Sequence, residues 1–221
     1  CIRDRAECMA FESGAITRLG NVNSKNSLSD YHDLEHERGN SIFSSLLSVE
    51  WKDSKINMID TPGFDDFVGE QIAAASVTDV AIIVVNGQSG VEVGTDQAWE
   101  QTSKAEKPVI FAINHIDQEK AEFDTAVEQI KERCDSKATV IQYPLNQGNG
   151  FDTIVDVLQM TAYKFGADGG KPEKIDIPGS EKDKVDELRN ELIEMAAEND
   201  EGLMELFFDK GTLSEEELTN C

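Results

Sequence analysis

Short apolar runs alternate with amphipathic segments along the first two thirds of the chain. The run at 80–85 is uniformly apolar, which is typical of a strand buried on both faces, and the apolar runs that end at Asp60 and Asn114 predict two more strands. Helices are predicted around and between these strands, at 67–77, 97–105 and 119–133. Buried strands that alternate with helices predict an α/β domain with a doubly wound sheet.

The amino-terminal part has weaker patterns. Residues 3–13 predict an amphipathic helix, and the polar stretch at 14–39, rich in Gly, Asn and Ser, predicts a mobile loop. A strand is predicted at 42–51, and a short turn at 52–54 joins it to the strand that ends at Asp60. These two strands are therefore predicted to form a hairpin.

The pattern changes near residue 136, so the predicted domains are 1–136 and 137–221. In the second domain a strand at 138–145 and a mixed apolar segment at 151–160 precede two acidic helices. The apolar residues of the first acidic helix fall at helical spacing and predict one buried face: Val185, Leu188, Leu192 and Met195. The second helix, near 214–218, begins with Ser214 and Glu217 at the spacing of a capping box.

The net charge of −24 changes the expected partners. It opposes direct binding to DNA or another polyanion and favours a basic protein partner. The sequence contains no apolar stretch of about 20 residues, which is the length a membrane-spanning helix needs. We therefore expect a cytoplasmic protein with no membrane contact. We also expect a monomer. The acidic helices form either a solvated surface or a docking surface.

Two motifs carry the candidate chemistry. Asp60-Thr61-Pro62-Gly63 follows an apolar strand, where an acidic residue and a glycine suit a bound Mg²⁺ and phosphate, although the same residues also make ordinary turns. Asn114-His115-Ile116-Asp117 follows another apolar strand, and its carboxylate and amide suit the edge of a guanine base. The alternative for Asn114 and Asp117 is capping of the next helix. Ligands of open α/β sheets bind outside the carboxyl ends of the strands, which favours a binding site.

With these motifs in this order, the chain resembles the GTP-binding domain of bacterial translation elongation factor G, as a divergent, Bacteroidetes-type member. The resemblance rests on Glu12–Ile16, Glu37–Ile42, Asp60–Phe67, Gly90–Glu92, Asn114–Asp117, Ile141–Leu145 and Ala197–Glu205. It implies a P-loop-NTPase-like fold, with an inserted acidic α+β subdomain at 137–221 that approaches a stalk protein of the ribosome. It also implies GTP or GDP and Mg²⁺ as ligands.

The resemblance assigns roles on the phosphate side of the nucleotide. Asp60 would lie near Mg²⁺, the Ser41 hydroxyl would replace a threonine hydroxyl in the Mg²⁺ shell, and the Gly63 N–H would meet the terminal phosphate. Phe64 replaces the histidine that positions the attacking water. Because a phenyl ring neither donates nor accepts a hydrogen bond, slow hydrolysis is expected, by a factor of about 10²–10⁴.

The resemblance also assigns roles around the base. Asn114 and Asp117 would select guanine, and His115 replaces a lysine whose stem covers the base. The family's Gly-x-x-x-x-Gly-Lys-Ser/Thr phosphate loop does not occur in the sequence, so we expect a truncated domain that lacks its first strand and this loop. The parent would be a GTPase and this chain alone would bind GTP negligibly. A module that binds the ribosome without catalysis is the alternative.

Overall fold

The computed structural model describes most of the chain, namely residues 2–20, 26–29, 31–166 and 170–219. The chain divides into two compact units, which are residues 1–84 with 92–112 and residues 85–91 with 113–221. The division into domains at residue 136 that the sequence suggests stays a prediction.

Most of the described part of the first unit consists of helices and a hairpin. These elements are α1 (Ile2–Glu12), α2 (Asp33–Arg38), β1 (Ser45–Trp51), β2 (Ser54–Asp60), α3 (Val68–Val77) and α4 (Val93–Lys104), with a 3-10 turn at Asp65–Phe67. The predicted loop at 14–39 is wrong in part, because it contains α2. This short helix has a reciprocal cap: the His32 side chain accepts from the Leu34 N–H, and the Glu35 carboxylate accepts from the His32 N–H.

The predicted hairpin is confirmed. Strands β1 and β2 pair antiparallel from Ser45 opposite Asp60 to Trp51 opposite Ser54. Burial alternates along β1, with Leu47 and Val49 buried, as expected for a strand with one face on a core. The register fixes Asp60 at the open end of the hairpin, next to the start of β1.

A second strand pair joins β3 (Ala81–Asn86) to β4 (Val109–Asn114). The Ala81 N–H donates to the Pro108 carbonyl over 3.0 Å, and the Gly87 N–H donates to the Asn114 carbonyl over 2.7 Å. The offset between donor and acceptor is 27 residues in both bonds (108 − 81 and 114 − 87), so the strands run parallel. The prediction that β3 is buried on both faces is wrong for the described residues. Ile83 and Val85 are buried, but Ile82 is 54% exposed.

In the described part of the second unit, one helix precedes a four-stranded antiparallel sheet, and three helices follow it. These elements are α5 (Phe123–Arg133), β5 (Gln142–Pro144), β6 (Thr153–Asp156), β7 (Thr161–Lys164), β8 (Glu173–Ile175), α6 (Lys182–Asn199), α7 (Glu201–Lys210) and α8 (Glu215–Thr219). The sheet order is β5-β6-β7-β8. Its core contains Ile116, Phe123, Tyr143, Val155, Val157, Ala162 and Val185, so α5 and α6 pack on the same core as the sheet.

The carboxyl-terminal region differs from the predicted pair of acidic helices. Three helices form, because the Asp200 carboxylate accepts from the Gly202 and Leu203 N–H groups and starts α7 directly after α6. The segment 197–205 therefore belongs to two helices. The predicted strand at 138–145 is reduced to β5. The buried face of α6 is confirmed at Val185, which is 1% exposed.

Among the described helices, none combines the length and the apolar character that a membrane crossing requires.

Candidate functional site

The first candidate motif begins at the end of strand β2 and continues as a turn. Asp60 ends the strand and is 7% exposed, and Pro62 is also buried. The Gln71 amide of α3 donates to the Pro62 carbonyl over 3.0 Å and holds the turn against that helix. Gly63 is exposed, and a Cβ added there would meet nothing within 4 Å. The backbone of Gly63 therefore borders open space, next to a buried carboxylate.

Phe64, which follows, is 55% exposed. Its carbonyl accepts from the Phe67 N–H over 2.9 Å and closes the 3-10 turn, while its ring offers no polar atom. The position after Gly63 is thus accessible and chemically inert.

Ser41 lies in the segment between α2 and β1 and is half-buried. The two residues that follow it, Ile42 and Phe43, donate their N–H groups to the same carboxylate oxygen of Glu35, over 2.9 and 3.1 Å. The Ser44 N–H donates to the Glu70 carboxylate over 2.9 Å. The segment beside Ser41 is therefore held by side chains of two helices and not by a strand ladder.

These hydrogen bonds lower the pKa of both carboxylates. Burial alone would raise the pKa of Glu35, but the N–H groups of Ile42, Phe43 and other nearby residues favour the charged form, and the net result is a lowered pKa. The pKa of Glu70 is also lowered, chiefly because the side chain and then the backbone N–H of Ser44 face the carboxylate. Both groups are charged at neutral pH and hold the segment as anions.

The second candidate motif follows strand β4. The Asn114 carbonyl accepts from the Gly87 N–H, and a side chain on residue 87 would crowd this contact. A Cβ on Gly87 would lie 3.0 Å from the Asn114 carbonyl oxygen and 2.9 Å from Cδ1 of Ile116. Close approach of the two backbones thus fixes where Asn114 leaves the strand.

A turn continues from His115. This residue has a left-handed φ of 61°, its carbonyl accepts from the Gln118 N–H over 3.2 Å, and the Gln118 side-chain nitrogen lies 2.9 Å from Nδ1 of the imidazole. Ile116 is buried and its carbonyl accepts from the Gly148 N–H, whereas Asp117 is exposed. The turn therefore presents the Asp117 carboxylate to solvent and anchors itself through Ile116.

The capping alternative for Asn114 and Asp117 is wrong. Helix α5 begins at Phe123 with Glu122 at its N-cap position, five residues after Asp117. The Phe123 N–H donates to the Gln147 side-chain oxygen over 2.7 Å. Neither residue of the motif caps this helix.

The predicted residues fall into two groups. Ser41, Asp60 and Gly63 belong to the first unit, and Asn114, His115 and Asp117 belong to the second. The first group fits Mg²⁺ and a phosphate, because a buried carboxylate and a hydroxyl are hard oxygen donors and the Gly63 backbone is open. The second group fits a guanine edge, because an amide ends β4 and an exposed carboxylate follows three residues later.

Sequence reasoning missed five residues that hold the segments around the candidate site residues in place: Glu35, Glu70, Gln71, Gly87 and Gln118. Glu35 lies in a stretch that looks like a loop, and Glu70 looks like any exposed residue of an amphipathic helix. The signal at Gly87 was available, since a glycine directly after a buried strand often marks a close backbone approach.

The family model described as the elongation factor Tu GTP binding domain matches residues 6–209. The chain therefore belongs to the family of elongation factor Tu GTP-binding domains.

Within that family the chain is similar to elongation factor G. The elongation factor G of Mycoplasma pneumoniae is 37% identical over 219 residues, which are 98% of this chain and 32% of that protein. An elongation factor G-like protein of Thermotoga maritima is 37% identical over 189 residues, 86% of this chain and 27% of that protein. A crystal structure of a Thermus thermophilus protein matches with a TM-score of 0.89 at 25% identity, over 98% of this chain and 32% of the other.

These similarities confirm the predicted resemblance to elongation-factor-G-like translational GTPases and the mixed α/β class of the fold. The chain spans about a third of the length of these relatives. A Bacteroidetes origin stays a prediction.

Proposed function

We propose that this chain is the guanine-nucleotide-binding part of an elongation-factor-G-like translational GTPase, which acts as a GTP-dependent switch on the ribosome in the cytoplasm. The observation that carries the proposal is that Asp60 and Asn114 each end a strand and lead into a turn, as nucleotide-contacting motifs of α/β folds do. Membership in the GTP-binding domain family supports it. A doubly wound P-loop-NTPase-like sheet with an inserted acidic α+β subdomain is the fold that this proposal includes.

On the phosphate side, the Asp60 carboxylate and the Ser41 hydroxyl would hold Mg²⁺, which neutralises phosphate charge in this class of protein. The Gly63 N–H would donate to the terminal phosphate. Support comes from the burial of Asp60 and from the open space around Gly63, where a side chain is absent and a ligand oxygen has room.

On the base side, the Asp117 carboxylate would accept hydrogen bonds from the ring N–H and the exocyclic amine of guanine. The Asn114 amide would bind the adjacent edge, and the His115 ring would cover the base. The hydrogen-bond contact between the His115 ring and the Gln118 side chain supports a defined orientation of the imidazole.

Hydrolysis by this protein is proposed to be slow, because Phe64 cannot orient a water molecule. The exposure of the phenyl ring supports this proposal, since no polar atom of that side chain is available at the accessible position after Gly63. The protein would then spend longer in its GTP state than a relative with a histidine there.

Calorimetric titration of the natural gene product that contains this chain tests the proposal. GTP and GDP are expected to bind in the presence of Mg²⁺ and ATP is not. Asp117→Ala is expected to weaken GTP binding by about tenfold or more, because hydrogen bonds to a charged group contribute about 1.5–3 kcal/mol. The matched control is Asp53→Ala, an exposed carboxylate in the β1–β2 turn. Equal affinities for GTP and ATP would contradict the proposal.

A second candidate function is binding of the ribosomal stalk protein by the acidic helices without catalysis. The observation that favours it is the exposure of Phe208, 78%, on the acidic helix α7. An exposed aromatic ring among carboxylates suits a basic partner with an apolar pocket. Loss of binding to stalk-containing ribosomes in Phe208→Ala, together with an absence of nucleotide binding in the parent, would favour this function over the first.

A further inference from the structure

Three successive backbone N–H groups, those of Ile42, Phe43 and Ser44, are bound by two carboxylates from different helices. Glu35 of α2 accepts the first two on one oxygen, and Glu70 of α3 accepts the third. An extended strand cannot direct two successive N–H groups to one oxygen, because they point to opposite sides. The carboxylates therefore impose the local bend that follows Ser41.

Glu35 is suited to this task because it is fully buried, 0% exposed, and bonded at several points. Its second oxygen accepts from the His32 N–H over 3.1 Å, and its own carbonyl accepts from the Gly39 N–H over 2.8 Å. The Glu35 side chain thus joins the start of α2 to the segment that leads into β1, and its backbone carbonyl closes the end of the helix.

Glu70 connects this segment to the turn after Asp60. Glu70 and Gln71 are neighbours in the first turn of α3, and they bind different segments: the Glu70 carboxylate holds the Ser44 N–H, and the Gln71 amide holds the Pro62 carbonyl. A displacement of the start of α3 would shift both contacts. All of these residues lie in the first unit.

We infer that Glu35 and Glu70 are positioning residues that act as one carboxylate clamp on 42–44, and that α3 couples the position of Ser41 to that of the Asp60–Gly63 turn. The inference rests on the proposed function only for the role of Ser41 as a ligand of Mg²⁺. The coupling itself is a property of the protein without nucleotide.

Amide hydrogen exchange on the full chain without nucleotide tests the coupling. Glu70→Ala removes the acceptor of the Ser44 N–H and is expected to speed exchange there about tenfold or more. Coupling further predicts severalfold faster exchange at Ile42 and Phe43, whose N–H groups are bound by Glu35. Glu70→Gln keeps an acceptor oxygen and is expected to restore much of the protection from exchange. This variant therefore distinguishes loss of the hydrogen bond from a general failure to fold.

The matched control is Glu50→Gln on the exposed face of β1, which should leave exchange at 42–44 unchanged. Faster exchange confined to Ser44 in Glu70→Ala, or an equal effect of the control, would overturn the coupling.

A second measurement tests the link to Ser41 in the natural gene product that contains this chain. Glu70→Ala is expected to reduce the factor by which Mg²⁺ improves GTP affinity, while Glu50→Gln leaves that factor unchanged. An unchanged Mg²⁺ factor in Glu70→Ala would overturn the positioning role. If the unaltered protein binds no nucleotide, the proposed function and the role of Ser41 fail together, and the exchange experiment still decides the coupling.

Discussion

Asp60 pairs with Ser45 at the open end of the β1–β2 hairpin. This pairing brings the carboxylate of one candidate motif to the strand end that follows Ser41 by four residues. Because side chains alternate between the faces of a strand, a slip by one residue would turn Asp60 to the other face. The hairpin register therefore sets which face of the sheet presents the carboxylate.

The first prediction concerns this carboxylate. Asp60→Asn keeps the shape of the side chain but removes its charge, so Mg²⁺-dependent GTP affinity of the natural gene product is expected to fall by about tenfold or more. Titration with and without Mg²⁺ measures the effect, and Asp53→Asn is the control. An equal loss of affinity without Mg²⁺ would contradict the role of Asp60 at the metal.

The second prediction concerns hydrolysis. Phe64→His supplies a ring that can orient and polarise water, so ribosome-stimulated GTP turnover of the natural gene product is expected to rise by up to about 10²–10⁴-fold. Phe64→Leu is the control, since it changes the ring without adding a polar atom. A turnover rate that does not change in Phe64→His would contradict the proposal that Phe64 slows hydrolysis.

The third prediction concerns base selection. Guanine offers a ring N–H and an amine to the Asp117 carboxylate, whereas xanthine has a carbonyl in place of the amine. Asp117→Asn can donate to that carbonyl, so the preference is expected to move from guanosine to xanthosine nucleotides. Competition titrations measure the ratio of the two affinities, and an unaltered ratio would exclude Asp117 from the base contact.

The fourth prediction concerns packing under Asn114. In Gly87→Ala the new Cβ lies 3.0 Å from the Asn114 carbonyl oxygen, a backbone atom, and 2.9 Å from Ile116, so the strand ends must separate. The free energy of unfolding is expected to fall by about 1–3 kcal/mol. The control is Gly166→Ala, where a Cβ meets nothing within 4 Å. Denaturant unfolding of both variants measures the difference, and equal stabilities would contradict the close approach.

The fifth prediction concerns pH and helix α8. Hydrogen bonds from Lys210 and from the N–H and hydroxyl of Ser214 lower the pKa of Glu217 from 4.5 to about 2. Because the folded pKa lies below the unfolded one, the cap stabilises α8 fully above about pH 4.5, and this contribution is lost as the pH falls towards 2. NMR titration of Glu217 and of the α8 amides measures this.

In Glu217→Gln the same amides are expected to lose this pH dependence. A Glu217 carboxylate that titrates near pH 4.5 in the unaltered protein would refute the capping contribution.

Sequence patterns were sufficient to predict the elements whose signal lies within a short stretch of the chain. The hairpin, β4 and the cap at Ser214 follow from apolar runs, short turns and capping spacing, and the structure contains all three. The motifs at Asp60 and Asn114 could be located because each begins at the last residue of a strand, and periodicity detects strands.

These patterns could not predict contacts between residues that are far apart in the sequence. Burial of β3 depends on what covers each face, and the described residues leave Ile82 exposed, which an apolar run cannot indicate. Glu70 reaches Ser44 across 26 residues, and nothing in its helix distinguishes it from a solvated glutamate.

The chain by itself determined which chemical groups are present: a carboxylate that ends β2 and a glycine after it, an amide that ends β4 and a carboxylate after it, and a phenyl ring directly after that glycine. Only the tertiary structure decided how those groups are held, through the β1–β2 register, the Glu35 and Glu70 carboxylates and the close approach at Gly87. The reason is physical: side-chain chemistry is encoded residue by residue, whereas position depends on hydrogen bonds and packing between segments that are far apart in the sequence.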